Sequence, residues 1–531
     1  MVLVRLVSRV GRTAPSLLRL LGDTMTDCPI VPLKNGDTIE LSISALVSDG
    51  RGLGRHEGLV VLAEGALPGQ TVRVQITAVQ RSLAEGETLE VVTPSQDEQV
   101  APCPHAAQCG GCAWQSLPYE RQLFWKERVV RDALERVGKI KEPPVSAIVP
   151  SPQAWGYRNK MEFAFGPASD RVSDATKTSS TEFVLGLRER GSRRVVDVTG
   201  CLLQSERTMR VLGAMRTLLA QEGLRAWEDV TRRFREPEDF REGRSVRPPR
   251  QSKAPASSTA ATCTGQCRFL VVREPRAGGC MVELILGPGA SSPDAAQAEV
   301  LGRRLFAGLR AVVSDVTGFV LSRRETASDV AYGEQTLFQE GQLVEQIGHI
   351  QLSLGHNAFF QVNTPAAELL YAEVERLSGL ASMEDPTLWD VYSGVGSIGF
   401  YLARHAKRIV AIEEMQGAVR CARSNAKALQ LEKYKVEAGE ARSVLGRLAK
   451  VGPRADVVVL DPPRAGIDTK LVQILCSITP KKLIYVSCNP ATLARDAARL
   501  ATAYTLVETR PVDLFPQSPH VESVSLFERK A

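Results

Sequence analysis

The stretch Val486-Ser487-Cys488-Asn489-Pro490-Ala491-Thr492-Leu493 sets a cysteine and a tight Asn-Pro turn right behind the apolar run Leu483-Ile484-Tyr485. A short apolar run closed by such a turn reads as a buried strand ending at its tip. Two more polar motifs follow apolar runs upstream, Asp390-Val391-Tyr392-Ser393-Gly394-Val395-Gly396 and Asp461-Pro462-Pro463-Arg464-Ala465-Gly466. Polar motifs at successive strand tips describe a ligand cleft along one edge of a parallel sheet. Cys488, in that cleft, is a candidate nucleophile.

Working outward, strand and helix alternate from about residue 355. The pattern predicts strands at 388–392, 409–413, 457–460 and 483–486, with a closing pair near 505–512 and 521–527. Alternation of this period predicts a doubly wound α/β domain with a parallel sheet and an antiparallel edge. Toward the other end, short alternating runs at 38–43, 58–62, 72–76 and 89–92 are separated by glycine-rich turns at 49–54 and 67–69. These predict a small barrel of the oligonucleotide-binding type, with an SH3-like structural barrel as the alternative. A helix is expected over 118–137, with Leu123, Val129, Val130 and Leu134 on one side, followed by a strand-rich middle region. Inserts near 169–181 and 236–266 are too polar to bury a core and are expected to be disordered loops, with Cys263 and Cys267 in or beside the second.

The chain has 531 residues, too many for one core, and a formal net charge of +6, compatible with a polyanionic partner without requiring one. No apolar run reaches the ~20 residues of a membrane span. Eleven cysteines, mostly scattered, argue against a secreted disulfide framework. Residues 1–22 carry Arg5, Arg9, Arg12 and Arg19 and no acid, which predicts an organellar leader, mitochondrial ahead of plastid. The alternatives are a basic tail on a cytoplasmic protein, or sequence ahead of a start at Met25.

The first strand-tip motif suits a nucleoside-bearing cofactor. Gly394 and Gly396 admit a ligand close to the backbone, and Glu413, ending the next strand, stands where an acid grips ribose hydroxyls. The dinucleotide pattern is incomplete, because Phe400 follows Gly399, so S-adenosylmethionine is favoured over NAD. Asp461 offers an acceptor suited to a ring N–H such as uracil N3, unlike the Asn-Pro-Pro turn of exocyclic-amine methyltransferases. A thiolate is suited to conjugate addition at pyrimidine C6, after which C5 can take a methyl group. A base must then remove the C5 proton. Glu522 is the expected base and His520 its rival. Separately, Cys103, Cys109 and Cys112, with glycines between them, need one more ligand to close a metal site; His105 beside zinc is one solution.

Together the segments 390–396, 461–466, 487–492 and 515–523 resemble the RNA uracil-C5 methyltransferase family over about residues 34–531. The resemblance implies a C-terminal Rossmann-like class I methyltransferase domain (355–531) and an N-terminal OB-like β-barrel of the TRAM type (34–98). Between them it implies a strand-rich central domain (99–354), with 1–33 left as the leader. It implies Cys488 as nucleophile, Glu522 as base, and Gln361, Tyr392, Glu413 and Asp461 at the cofactor or substrate. It also implies a [4Fe-4S] cluster on Cys103, Cys109, Cys112 and Cys201. Trp155-Gly156-Tyr157-Arg158-Asn159-Lys160 resembles a segment lining the family's RNA path, which makes Arg158 and Lys160 expected phosphate contacts. Ser393 and Ser397 depart from residues common in the family. The implied partner is structured RNA, tRNA or rRNA, bound by a monomer; a non-catalytic RNA chaperone on the same fold, or action on another nucleobase, are the alternatives.

Overall fold

The computed structural model describes residues 33–170, 182–229, 263–289, 293–326 and 329–530. All but the last residue of the expected leader lies outside them, as does most of both expected inserts. Among the described residues the first unit is a closed barrel of β1 (Thr38–Leu46), β2 (Gly52–His56), β3 (Leu59–Glu64), β4 (Thr71–Val79) and β5 (Leu83–Thr93). Alternate residues of β4 (Val72, Val74, Ile76) point inward onto Leu41, Ile43 and Val61, the period-2 pattern of a half-buried strand. β2 corrects the sequence reading, which made 49–54 a turn. A Cβ on Gly54 would stand 2.5 Å from the Ser42 carbonyl oxygen, so the glycines read as loop residues are where the barrel closes on itself.

Helix α1 (Tyr119–Arg136) follows the barrel. Its inner face includes Val129, Val130 and Leu134 as expected, together with Gln122, Trp125 and Lys126, whereas Leu123 is only partly buried. The middle region is built from β6 (Lys160–Pro167), β7 (Phe183–Arg188), β8 (Val195–Val196), α2 (Glu206–Gln221), β9 (Glu228–Asp229), β10 (Cys263–Thr264), β11 (Cys267–Arg273), β12 (Cys280–Leu286), α3 (Ala295–Val312), β13 (Val316–Arg323) and β14 (Gln335–Glu340). Its sheet runs β14-β13-β12-β11-β6-β7-β8. Cys267 is buried in a central strand of that sheet, and Cys263 pairs with Asp229 in β9, so the second insert ends earlier than residue 266. β15 (Leu343–Ile347) and β16 (Ile350–Leu354) form a hairpin that packs on α4 (Thr364–Ser378).

The remaining elements are β17 (Thr387–Val391), α5 (Ser397–Leu402), β18 (Arg408–Glu413), α6 (Gln416–Ala428), β19 (Tyr434–Ala438), α7 (Ala441–Val451), β20 (Val457–Leu460), α8 (Thr469–Ile478), β21 (Lys482–Ser487), α9 (Pro490–Leu500), β22 (Tyr504–Val512) and β23 (Glu522–Arg529). Their sheet order is β19-β18-β17-β20-β21-β23-β22, parallel except for β23, which runs antiparallel to both its neighbours. Successive residues enter opposite layers. Leu388, Ile409, Val459 and Ile484 face one core, while Trp389, Val410, Val458 and Leu483 face the other. Burial on both faces is why these strands read as unbroken apolar runs. β19 is the expectation's omission: it is an edge strand, largely solvated, with no such run. In register, Val391 pairs with Ile412 and Leu460, and Leu460 with Tyr485, so the strand tips align along one edge.

Candidate active site

Ser487, the last residue of β21, pairs with Ser523, so Cys488 and Glu522 leave adjacent strands side by side. Asp461 continues β20 on the other flank of β21, its N–H donating to the Val391 carbonyl (3.2 Å). The turn carrying Cys488 is held locally. The Ser487 hydroxyl accepts from Asn489 N–H (3.2 Å), the Asn489 side chain caps α9 at Ala491 N–H (3.0 Å), and Pro490 opens the helix. Asn489 Nδ2 and the Thr492 hydroxyl also donate to the Arg464 carbonyl (both 3.3 Å), tying the nucleophile turn to the Asp461 turn. Arg495 donates to Ala465 O (2.8 Å), and buried Asp496 accepts from Ile467 N–H (2.9 Å), which completes the clamp.

The site is acidic and poorly hydrated. Burial, with the charges of Glu522 and Asp461 behind it, pushes the Cys488 thiol up to about 12; Arg464 opposes this. Burial and Asp461 hold Glu522 well above the carboxylate range, and Arg464 again opposes. Burial raises Asp461 to about 7. Asp390 also rises to about 7 through burial, with Asp461 and Glu413 adding to it against one bond from Gly399 N–H (2.9 Å). Its Oδ1 is buried without a hydrogen-bond partner among the described residues. His520 has its ring at the surface, yet partial loss of hydration and the charges of Arg464, Lys126 and Arg158 push it down to about 4. At neutral pH it is an uncharged and weak base.

The glycine turn after β17 makes a cradle. Tyr392 sits at φ 64°, a strained value for a residue with a side chain, and is followed by Gly394 (φ 56°) and Gly396 (φ 88°). Beside Gly394 a Cβ would meet only open space, whereas at Gly396 it would strike the Tyr434 hydroxyl and the Phe400 ring. Glu413 at the tip of β18 accepts from Gly394 N–H (2.9 Å) and Met415 N–H (2.7 Å), which sets the cradle's shape. Gln361 is buried, and its carbonyl accepts from Asn159 Nδ2 (2.9 Å). An open cradle, a buried unpartnered carboxylate oxygen and further acids fit a cationic, nucleoside-bearing cofactor. Tyr371 of α4, hydrogen-bonded to Ser397 (2.8 Å), lies in the field of Asp461, Asp390 and Glu522. Sequence reasoning missed it, because a tyrosine at helical spacing reads as core. It left Arg464 without a role, because only the fold brings that charge to bear on Cys488 and Glu522.

Cys103, Cys109, Cys112 and Cys201 all line one cavity of about 640 Å³, together with Trp155, Arg158, Lys160, Arg188 and Arg190. Burial and the neighbouring cysteines push Cys112 up to about 12, and burial likewise raises Cys109 and Cys201. Among the described residues no group of three or more His, Cys, Asp or Glu is arranged to hold a metal ion. Lys160, an expected phosphate contact, is mostly buried and paired with Glu162 (2.5 Å).

This sheet order, with a glycine cradle at its first strand tip, defines a methyltransferase of the class I fold. Residues 349–530 match the family model tRNA (Uracil-5-)-methyltransferase, and residues 32–89 match the TRAM domain. An uncharacterized RNA methyltransferase of Nitratidesulfovibrio vulgaris is 43% identical over 503 residues, 93% of this chain and 97% of that protein. Another, from Gloeobacter violaceus, is 32% identical over 95% of this chain and 100% of its own length. The crystal structure of Pyrococcus abyssi tRNA (uracil-54, C5)-methyltransferase in complex with S-adenosyl-L-homocysteine shares the fold, with TM-score 0.66, 24% identity, 92% of this chain covered and 100% of that one. The chain belongs to the RNA uracil-C5 methyltransferase family and is an S-adenosylmethionine-dependent enzyme.

Proposed function

We propose that the chain methylates C5 of a uridine in structured RNA, tRNA or rRNA, through a covalent adduct between Cys488 Sγ and uracil C6. The observation that carries this is the meeting of Cys488, Glu522 and Asp461 on three neighbouring strand tips. Asp461 accepts the uracil N3–H and holds the ring. The Cys488 thiol loses its proton to solvent, its sulfur bonds to C6, and the electron pair of the C5–C6 double bond moves into an enolate ending on O4. Bound S-adenosylmethionine supplies the methyl group for C5 and a positive charge beside the acids. Glu522 as carboxylate then takes the C5 proton. The electrons left at C5 re-form the C5–C6 double bond, and the C6–S bond breaks to release a thiolate. Burial and the neighbouring acids disfavour both the Cys488 thiolate and the Glu522 carboxylate, Arg464 favours both, and the cofactor's positive charge would act in the same sense as Arg464. Gln361, Tyr392, Gly394, Gly396 and Glu413 form the cofactor's walls.

In this reading Cys103, Cys109, Cys112 and Cys201 hold a [4Fe-4S] cluster. What supports this reading is that the four cysteines, which would supply the cluster's thiolate ligands, line one shared cavity. Its role is to pin the middle region; no redox step is required of it. The enzyme works as a monomer, and residues 1–33 direct it to mitochondria, which a fluorescent fusion of that segment would test. The mechanism is tested with Cys488→Ala and Glu522→Gln on unmodified tRNA and large-subunit rRNA transcripts. The first variant should lose methyl transfer and the covalent adduct on 5-fluorouridine RNA. The second should form the adduct on uridine RNA and release it slowly. Full activity in the first, or normal turnover in the second, overturns the assignment.

A further inference from the structure

The segment 513–520, which delivers Glu522 to the cleft, is held by residues far away in the chain. Asp513 and Lys126 are both fully buried, and Lys126 Nζ donates to Asp513 Oδ1 (2.6 Å) and to the Phe515 carbonyl (2.9 Å). Asp513 Oδ1 also accepts from Phe515 N–H (3.0 Å). One helical turn earlier, Gln122 makes a reciprocal pair with Gln517: Gln122 Nε2 donates to Gln517 Oε1 (2.9 Å), and Gln517 N–H donates to Gln122 Oε1 (2.8 Å). Gln517 itself is held at φ 69°. Trp114 N–H donates to the Gln517 carbonyl (3.1 Å), and its indole N–H donates to the Gly50 carbonyl in the barrel (3.3 Å). Gly50 is so close to Pro519 that a Cβ there would stand 2.9 Å from the proline ring. The barrel, α1 and the path of the chain toward Glu522 are therefore one continuous packed unit.

A buried ion pair is a poor source of stability, because desolvating two charges offsets most of their attraction, but it tolerates little misalignment. It suits fixing a position. We propose that Lys126 is a positioning residue for Glu522, and that its pair with Asp513, seconded by Gln122 and Gln517, makes the placement of the base depend on α1 and the barrel. This rests on reading Glu522 as the base. A base displaced by about 1 Å loses on the order of 100-fold in rate, and the loss falls on the step in which the C5 proton leaves, after the thioether has formed.

The test uses Lys126→Met/Asp513→Leu in the full chain, since replacing both partners by apolar residues of similar size preserves folding where a single replacement strands a buried charge. The expected result is thioether formation on uridine RNA at the wild-type rate, accumulation of that adduct, and turnover lowered about 100-fold. A purely structural role would lower both steps together. Wild-type turnover, or equal loss of both steps, overturns the proposal. If the double variant does not fold, Gln122→Met decides in the same way: adduct accumulation supports the proposal and wild-type turnover refutes it. Glu522→Gln is run in parallel. Failure of that variant to accumulate adduct refutes the base assignment itself, whereas accumulation there without accumulation in the Lys126 variant refutes the positioning role alone.

Discussion

Asp390 is 1% exposed, and its Oδ1 has no hydrogen-bond partner among the described residues, so the ligand-free enzyme carries a cost that one substitution should remove. Its carboxyl moves from the ordinary 3.8 to about 7. A displacement of that size penalises the folded state by about 4 kcal/mol once the group is ionised. The sign follows from where the proton sits. Below pH 3.8 the carboxyl is neutral in both states and there is no penalty; the penalty grows as pH rises toward 7 and is constant above it. Asp390→Asn keeps an oxygen for Gly399 N–H and removes the charge, at about 1–3 kcal/mol for an amide N–H without a partner. The net effect at pH 8 is a gain of about 1–3 kcal/mol, or several degrees at about 2–4 °C per kcal/mol in a domain of this size. Thermal melts of ligand-free protein across pH 4–8 (about the window in which Asp390 titrates) should show the variant pulling ahead as pH rises. Binding of S-adenosylmethionine, followed calorimetrically, should weaken by about tenfold or more as a charged acceptor is lost. Parallel melting profiles, or a less stable variant at pH 8, would refute the burial argument.

Gly396→Ala should lower stability by about 1–3 kcal/mol, from strain at φ 88° and collision with Tyr434 and Phe400, and should reduce cofactor binding; denaturant titration checks the first part. Because burial raises the thiol of the ligand-free site to about 12, adduct formation on 5-fluorouridine RNA in single-turnover conditions should rise with pH from about pH 6 to 9, and a flat profile would show that the thiol ionises before RNA arrives. Anaerobically purified protein should contain about four irons with the absorbance of a [4Fe-4S] cluster, and Cys201→Ser should lower the iron content; stoichiometric zinc would contradict this.

The strand tips at 390, 461 and 488 are legible in the chain because each signal is local: an apolar run buried on both faces, then a turn whose residues allow no continuation. Cys488 and Asp461 announce their chemistry by standing at those tips. β2 and β19 escaped notice because one opens on Gly52-Leu53-Gly54, which reads as loop, and the other is a solvated edge strand. Glu522 could be named, but not the upward direction in which its titration moves, since burial and the charge of Asp461 are properties of the assembled cleft.

Residue identity along the chain thus specifies which elements form and which side chains can react, since both depend on neighbours a few positions away. Partnership depends on the fold. Lys126 on a helix reads as a solvated charge, and it is buried because Asp513 comes to it from 387 positions away. Cys201 likewise joins Cys103, Cys109 and Cys112 only where the middle sheet brings its loops to one cavity. Short-range patterning carries no information about such meetings, and the energies that hold them, desolvation against pairing, arise only once water has been excluded.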